Sequence, residues 1–254
     1  MTVSPGGTGT IDVASLQTLT IKNPLTGVLG NLIKSGAGTL LLRATPTYTG
    51  TTTINGGIIG FQSGAGLPAN GLTIGAGGGT LDYYTSTPDI TNGQTVTLNG
   101  TLTIDVIPAA INVAFATPPN LGGGGAGGLT KVGLGILTLT NSAATGATYT
   151  GQTTLSAGTL ALNFGAQITP ILPTAAQLNL QGGTLSLTGG SVSGAATQSF
   201  ANTVVSLGAT TITLALGSAT SVTLNTGVIT RTGTGQSTSP RSRQAPASIP
   251  VRRP

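Results

Sequence analysis

The sequence predicts an all-β protein built on an internal repeat, and three observations support that prediction. Gly and Thr, with 42 and 48 residues, make up over a third of the 254-residue chain. Short runs of β-branched residues alternate with small or polar residues and end at Gly or Asn-Gly, which is the pattern of many short strands. A unit of about 100 residues also occurs twice, and such periodicity is typical of stacked repeat architectures.

The strand-like segments follow one another along the whole chain. Thr, Ile, Val and Leu fill them, and these residues suit a pleated, half-buried surface. Helix formers are scarce, because all four acidic residues are Asp and only three Lys are present. In order, the clearest segments are 10–13, 19–21, 51–55, 95–98, 101–104, 184–187, 210–214, 221–224 and 227–230.

The composition excludes several kinds of chemistry. Charged residues are 5% of the chain, and Cys, His and Trp are absent. The chain therefore has no disulfides, no thiolate or imidazole metal ligands, and no Ser-His-Asp triad. We expect neither a metal site nor a small-molecule cofactor.

The formal net charge of +5 belongs to the end of the chain. Five of the nine basic residues are Arg within 231–254, whereas 1–230 carries four basic and four acidic residues. The body therefore has no basic face, and we expect no nucleic-acid partner. Gly, Thr and Asn interrupt every apolar run before it reaches the length of a membrane-spanning helix.

The repeat is clearest where 32–42 aligns with 129–139 at an offset of 97 residues. After a four-residue insertion the match resumes at Tyr-Thr-Gly, in 48–50 and 149–151. The matched residues of this repeat motif are Leu32 with Leu129, Lys34 with Lys131, Gly36 with Gly133, Gly38 with Gly135, Leu40 with Leu137, Leu42 with Leu139, Tyr48 with Tyr149, Gly50 with Gly151 and Gly57 with Gly158.

The matched residues predict which side chains are buried. Strand alternation places Leu40 and Leu42 on one buried face, with Leu137 and Leu139 at the equivalent positions. The matched glycines lie between strands, where a positive φ or a close backbone approach is needed. Lys131 is expected to be a lone exposed lysine on a turn, and the Thr-rich positions are expected to face solvent.

These two segments closely resemble the autotransporter-associated β-strand repeat, found in passenger domains of bacterial autotransporters. The run Leu-Xaa-Lys-Xaa-Gly-Xaa-Gly-Xaa-Leu-Xaa-Leu, followed by Tyr-Thr-Gly-Xaa-Thr-Thr, carries the resemblance in 32–61 and 129–162. It implies a right-handed parallel β-helix that is secreted across the outer membrane and displayed on the cell surface. Right-handed crossovers are also the rule for parallel strands.

The chain is predicted to divide into a β-helix over 1–230, with repeat copies near 30–126 and 127–230, and a tail over 231–254. The tail is rich in Ser, Pro and Arg and is expected to be disordered. The sequence shows no signal peptide and no alternating ten-residue strands of a membrane barrel. A passenger piece without its own barrel is expected, which puts its export in doubt.

Gly-rich stretches invite ligand-binding interpretations, but each lacks a required residue. Residues 121–128 lack the Gly-Lys-Ser/Thr ending of a phosphate-binding loop, so a turn between coils is preferred. Residues 77–82 partly match a calcium-binding nonapeptide repeat, but Thr80 stands where that motif needs Gly. Calcium needs about six to eight oxygen ligands, and we therefore expect calcium and chelators to leave stability unchanged.

Some parallel β-helices cleave polysaccharides, a reaction that usually needs two carboxylates facing one cleft. Asp82 and Asp89 are the best candidates, with Tyr83 and Tyr84 nearby. They are expected to flank a surface loop, and no Arg or His accompanies them to tune a pKa. We therefore expect no enzyme activity.

The tyrosines offer a second route to a ligand. The rings of Tyr83, Tyr84, Tyr48 and Tyr149 could bind a sugar by stacking, although packed tyrosines are the preferred interpretation. The favoured function is a non-catalytic surface stalk or scaffold. The alternatives are an adhesin whose protruding loops bind a glycan or a host protein, and a polysaccharide-degrading enzyme. Open strand edges at both ends also predict end-to-end self-association.

Overall fold

The structure, a computed structural model, describes a chain of β-strands in four sheets. The described residues are 6–27, 30–63, 66–68, 70–85, 95–115, 120–122, 126–141, 146–191, 193–206 and 208–232, with the backbone of Ser248–Arg252. No helix occurs among them. In the same ranges, no segment meets the length and hydropathy that a membrane-crossing helix requires.

Two of the sheets begin near the start of the chain. Sheet one consists of β1 (Thr8–Asp12), β3 (Asn31–Ser35), β5 (Thr52–Ile54), β7 (Leu72–Ile74), β9 (Thr95–Leu98) and β12 (Asn120–Gly122). Sheet two has ten strands: β2 (Thr18–Ile21), β4 (Thr39–Leu42), β6 (Ile58–Phe61), β8 (Gly79–Tyr83), β10 (Leu102–Val106), β13 (Leu129–Val132), β15 (Thr153–Leu155), β17 (Gln177–Leu180), β20 (Asn202–Val205) and β23 (Val228–Arg231).

The other two sheets begin further along the chain. Sheet three consists of β11 (Asn112–Phe115), β14 (Ile136–Thr140), β16 (Thr159–Asn163), β18 (Gly183–Thr188) and β21 (Thr210–Ala215). Sheet four consists of β19 (Ala195–Ser199), β22 (Ser221–Asn225) and β24 (Ser248–Arg252).

Neighbouring strands within a sheet come from successive passes of the chain, so the fold is a solenoid. The step from one strand to its partner ranges from 19 residues, between Leu40 and Ile59, to 27, between Ile104 and Lys131. Among the described strands, pairing is parallel apart from the antiparallel pairing of β24 with β22. The predicted parallel β-helix is confirmed. With strands about 4.8 Å apart, sheet two is about 43 Å long.

The core is a set of aliphatic ladders that run through the stack. On sheet two the inward residues succeed one another in register and are fully buried: Leu40, Ile59, Leu81, Ile104, Lys131, Leu155 and Leu180. Sheet three continues the core with Val113, Leu137, Leu160 and Leu185. Both leucine pairs of the repeat motif point inward, as strand alternation predicts, and the outward row carries Thr80, Thr103, Thr130 and Thr154.

The two repeat copies occupy different faces of the solenoid. The lysine-bearing strand of the first copy, β3, lies in sheet one, and the next strand, β4, lies in sheet two. In the second copy the equivalent strands β13 and β14 lie in sheets two and three. The repeat is therefore displaced by one face, because β9 to β12 add strands on all three of these sheets between the copies.

The first glycines of the repeat motif lie at corners where the neighbouring coil approaches closely. Gly36 and Gly133 have φ angles of 71° and 72°, which favour glycine. A Cβ atom on Gly36 would collide with the carbonyl oxygen of Val13, and one on Gly133 would collide with the Asp105 carboxylate. These positions therefore require glycine for two independent reasons.

The glycines that open the next coil stack on those corners. Gly57 and Gly158 have φ angles of 70° and 64°. A Cβ atom on Gly158 would collide with the carbonyl oxygens of Gly133 and Gly135, and one on Gly57 would meet the equivalent oxygens of the first copy. The second copy therefore reproduces the glycine-on-glycine corner of the first.

The remaining matched glycines have no positive φ, so for them only the close-approach part of the expectation holds. Gly38 and Gly135 precede β4 and β14 with φ outside the positive range. A Cβ atom on Gly135 would collide with the carbonyl oxygen of Pro108, and one on Gly38 would collide with a carbonyl of its own preceding coil. Gly50 and Gly151 behave in the same way. Lack of space therefore explains glycine at these positions.

The predicted tail contains one stretch of regular structure. The backbone of β24 pairs in antiparallel register with β22, with Pro250 opposite Thr223. This differs from the expectation that 231–254 lacks strands, and β23 also extends to Arg231. The disorder predicted for 233–247 concerns residues outside the described part of the chain.

Candidate functional site

The lysines of the repeat motif are buried inside the solenoid. Lys34 and Lys131 are 0% exposed, so the expectation that Lys131 lies exposed on a turn is wrong. Each lysine lies two residues after a buried leucine, Leu32 or Leu129. It is therefore on the same side of its strand and points inward. Each aliphatic stem packs in the core, and each ammonium turns back to the corner that follows its strand.

Each lysine amine donates to carbonyl oxygens of two successive coils. Lys34 Nζ donates to the carbonyl oxygens of Ser35 at 2.5 Å, Gly36 at 2.8 Å and Gly56 at 3.3 Å. Lys131 Nζ repeats the arrangement with Val132, with Gly133 at 2.9 Å and with Ala157 at 3.4 Å. The lysine thus supplies a donor to the corner carbonyls of Gly36 and Gly56, whereas the Ser35 carbonyl also accepts from the backbone N–H of Val13 at 3.2 Å.

An aspartate of the preceding coil lies near each lysine. Asp12 pairs in register with Ser35, and Asp105 pairs with Val132. Each aspartate therefore directly follows the residue that is in register with the lysine. Burial lowers the pKa of Lys34, and the Asp12 charge opposes that shift. Burial likewise lowers the pKa of Lys131 to about 8, opposed by the Asp105 charge. That an aspartate lies near each buried lysine was not predicted from the sequence.

The repeat tyrosines are structural. Tyr48 and Tyr149 are each 1% exposed, and their hydroxyl groups lie 2.5 Å from the hydroxyls of Thr52 and Thr153. Burial raises the pKa of Tyr48 to about 12 and that of Tyr149 further. A ring this deeply buried cannot stack on a sugar, so the sugar-stacking interpretation is wrong for both residues.

The Tyr83–Tyr84 pair is divided between core and surface. Tyr83 is 0% exposed and its ring lies 5.1 Å from that of Phe61, so it is also excluded as a sugar platform. Tyr84 is half-buried on the outer side, where burial and then the charges of Asp82 and Asp105 raise its pKa. Of the candidate rings, Tyr84 alone remains accessible.

The structure brings Asp82 together with Asp105. These two residues pair in register on β8 and β10, and Asp82 is only 7% exposed. The originally paired candidate, Asp89, lies outside the described residues. Asp105 was overlooked because it is 23 positions away in sequence, one coil of the solenoid. The sequence feature that could have indicated Asp105 is its position one residue before the end of the strand-like run Thr-Ile-Asp-Val.

A shallow polar groove lies along the outer corner leading into β13 and β15. Its volume is about 520 Å³, and its lining contains no charged or aromatic side chain: Thr101, Ala126, Thr130, Thr150, Gly151, Gln152, Thr154 and Gln177. The amides are held in a ladder, because Gln177 Nε2 donates to Asn179 Oδ1 at 2.5 Å and Asn179 Nδ2 donates to Gln152 Oε1. Such a surface offers hydrogen bonds to a neutral polar ligand.

Comparison with known proteins agrees with the repeat. The model of the family described as Passenger-associated-transport-repeat matches residues 32–59 and 129–162. The chain is 34% identical over 213 residues to the Adhesin BmaC autotransporter of Brucella suis biovar 1 (strain 1330). That match covers 80% of this chain and 6% of the relative's length. No solved structure matches the chain significantly. The chain therefore carries two passenger-associated-transport repeats, and together with its similarity to the Brucella adhesin these support an autotransporter passenger fragment.

Proposed function

We propose that this solenoid is a non-catalytic stalk that holds an autotransporter passenger away from the bacterial cell surface. The observation that carries the proposal is the inner ladder of sheet two, which continues in register from β4 through β17 across both repeat copies. A solenoid of this kind is stabilised by contacts between neighbouring coils, so it can be extended without a new core.

The surface chemistry favours a scaffold over an enzyme. The groove at Gln152 and Gln177 holds hydroxyl and amide groups but no acid, base or nucleophile of unusual reactivity. The carboxyl pair at Asp82 and Asp105 lies on the outer face of sheet two and does not line that groove. General acid–base catalysis needs such groups within reach of a bound substrate.

A surface-display experiment tests the stalk. The chain, with an epitope at its N-terminus, is placed between a secretion signal and an autotransporter membrane anchor. We expect antibody to bind intact cells, and the released rod to resist protease. The Leu137→Asp variant serves as the unfolded control and should be degraded. Failure of the epitope to reach the surface, or polysaccharide cleavage that Asp82→Asn abolishes, would contradict the proposal.

The polar groove supports an adhesin as the second candidate, in line with the name of the Brucella relative. Its neutral lining would suit a carbohydrate, bound by hydrogen bonds to the amides of Gln152 and Gln177. A glycan array with the whole chain tests this candidate. Hits that the Gln152→Ala and Gln177→Ala variants lose, and that Gln62→Ala retains, would support it. Hits unaffected by the groove variants would refute the groove as the site.

A further inference from the structure

The outer face of sheet two carries two carboxyl groups side by side. On β8 the residues Leu81 and Tyr83 point inward, so Asp82 points outward between them. On β10 the same alternation directs Asp105 outward. Their strands are parallel neighbours and the two residues are in register, so their Cα atoms are about 4.8 Å apart.

This pair is poorly solvated for a surface position. Asp82 is 7% exposed although it faces outward. Gly60 on β6 is the register partner of Asp82. The ring of Tyr84 and the side chain of Asp82 both lie over Gly60. The Oδ1 atom of Asp105 is buried and has no hydrogen-bond partner in the structure described. Buried carboxylate oxygens normally have a donor, and one without a donor favours the protonated form.

The charges around the pair do not neutralise both carboxylates. Asp105 faces Asp82 from β10, Tyr84 lies beside both, and Gly60 on β6 brings no charge. Lys131 on β13 is the nearby cation and acts on Asp105. Two carboxylates at neighbouring register positions repel each other when both are ionised, and protonation of one of them relieves this repulsion.

We propose that Asp82 and Asp105 form a mutually repelling carboxyl pair that takes up one proton and thereby makes the solenoid more stable in mildly acidic than in neutral surroundings. Burial, then the Asp105 charge, raises the pKa of Asp82 to about 6 from an ordinary value of 3.8. Burial also raises the pKa of Asp105, and the Lys131 charge opposes that shift. The pair titrates as a unit.

The direction of the pH effect follows from the raised pKa. Between pH 4 and pH 6 the folded protein holds a proton that the unfolded chain has already released. The stabilisation is therefore fully present below about pH 4 and is lost as the pH rises through about 6. Most carboxylates that form an ion pair with a cation have lowered pKa values. They therefore stabilise a protein more at neutral than at acidic pH, which is the opposite dependence.

Thermal unfolding from pH 4 to pH 7.5 tests the proposal. We expect the melting temperature of the whole chain to fall by several degrees between pH 5 and pH 7. Asp82→Asn and Asp105→Asn should each remove most of that fall. Asp12→Asn is the matched control, because Asp12 accepts a hydrogen bond from Ser35 Oγ at 2.7 Å, and it should keep the fall.

Two results would overturn the proposal. One is a melting temperature that does not change between pH 5 and pH 7, or a change that Asp82→Asn leaves intact. The other is a calcium effect, which would mean that a cation and not a proton neutralises the pair. Millimolar calcium would then raise the melting temperature at pH 7 in the natural chain but not in Asp82→Asn. Among the residues described, no third acidic, His or Cys side chain joins this pair to form a metal-binding group, and we expect no calcium effect.

Discussion

At the residue scale, Lys34 and Lys131 show how the corners of the solenoid are stabilised. Strand ladders pair backbone groups along each face, but at a corner the chain turns and some carbonyl oxygens lose their ladder partners. Each lysine amine donates to carbonyl oxygens at its corner from inside, with three of them in reach. A charged donor makes stronger hydrogen bonds than a neutral one, which offsets part of the cost of burying the amine.

Replacing Lys131 by Ala should therefore destabilise the protein. The variant loses a buried aliphatic stem and leaves carbonyl oxygens of two coils without a donor, so the free energy of unfolding should fall by about 2–4 kcal/mol. Lys22→Ala, at an exposed lysine, is the matched control and should change stability by less than about 0.5 kcal/mol. Chemical denaturation measures both. An equally small effect of both variants would contradict the buried role of Lys131.

The sequence contained the signal for this burial, because Leu32 and Lys34 have the same alternation parity, as do Leu129 and Lys131. Lysine is usually exposed, but in these two strands the alternation outweighs that preference. The position of Asp105 beside Asp82 was beyond prediction for another reason. Coils vary from 19 to 27 residues, so sequence spacing does not tell which residues of successive coils are in register.

At the scale of strands, alternation predicted the elements well. The segments expected at 95–98, 101–104, 210–214 and 221–224 correspond to β9, β10, β21 and β22 with ends that differ by at most two residues. The face occupied by each strand was not predictable. Repeated residues fix local conformation, but the face depends on how many strands separate the two copies, and β11 and β12 lie in that stretch.

The inward ladder of sheet three is expected to tolerate polar substitution poorly. Leu137 is 0% exposed and stacks in register between Val113 and Leu160. Leu137→Asp would bury an unpaired carboxylate and should cost several kcal/mol. Thr138→Asp, one residue away on the outward row, should cost far less. Melting temperatures of the two variants check the assignment, and a comparable loss in both would refute it.

At the scale of the whole molecule, we expect the edges of the stack to govern association. At the N-terminal edge of sheet two, Leu19 on β2 is 42% exposed, and at the other edge Val228 and Ile229 on β23 are 73% and 46% exposed. On sheet four the edge of β22 is covered by β24, where Pro250 lacks a backbone donor. Among the described strands, sheet two therefore has the apolar open edges.

We expect copies of this chain to associate end to end through sheet two. Scattering across a dilution series should show a growing longest dimension at a constant cross-section. Val228→Lys with Ile229→Lys should suppress the growth, because charge on an edge strand opposes pairing. Leu134→Lys, at a 67% exposed residue away from the ends, is the control and should not. A natural chain that stays monomeric up to millimolar concentration would contradict this expectation.

Engineered cysteine pairs test the continuous solenoid most directly, because the natural chain contains no Cys. Thr103 and Thr130 are in register on neighbouring strands of sheet two, within the Cα separation that a disulfide spans. Thr103→Cys with Thr130→Cys should therefore oxidise readily in the folded protein. Thr97→Cys with Thr130→Cys should stay reduced, because Thr97 lies in sheet one. A disulfide between positions 97 and 130, with none between 103 and 130, would contradict the solenoid and the displacement of its second repeat.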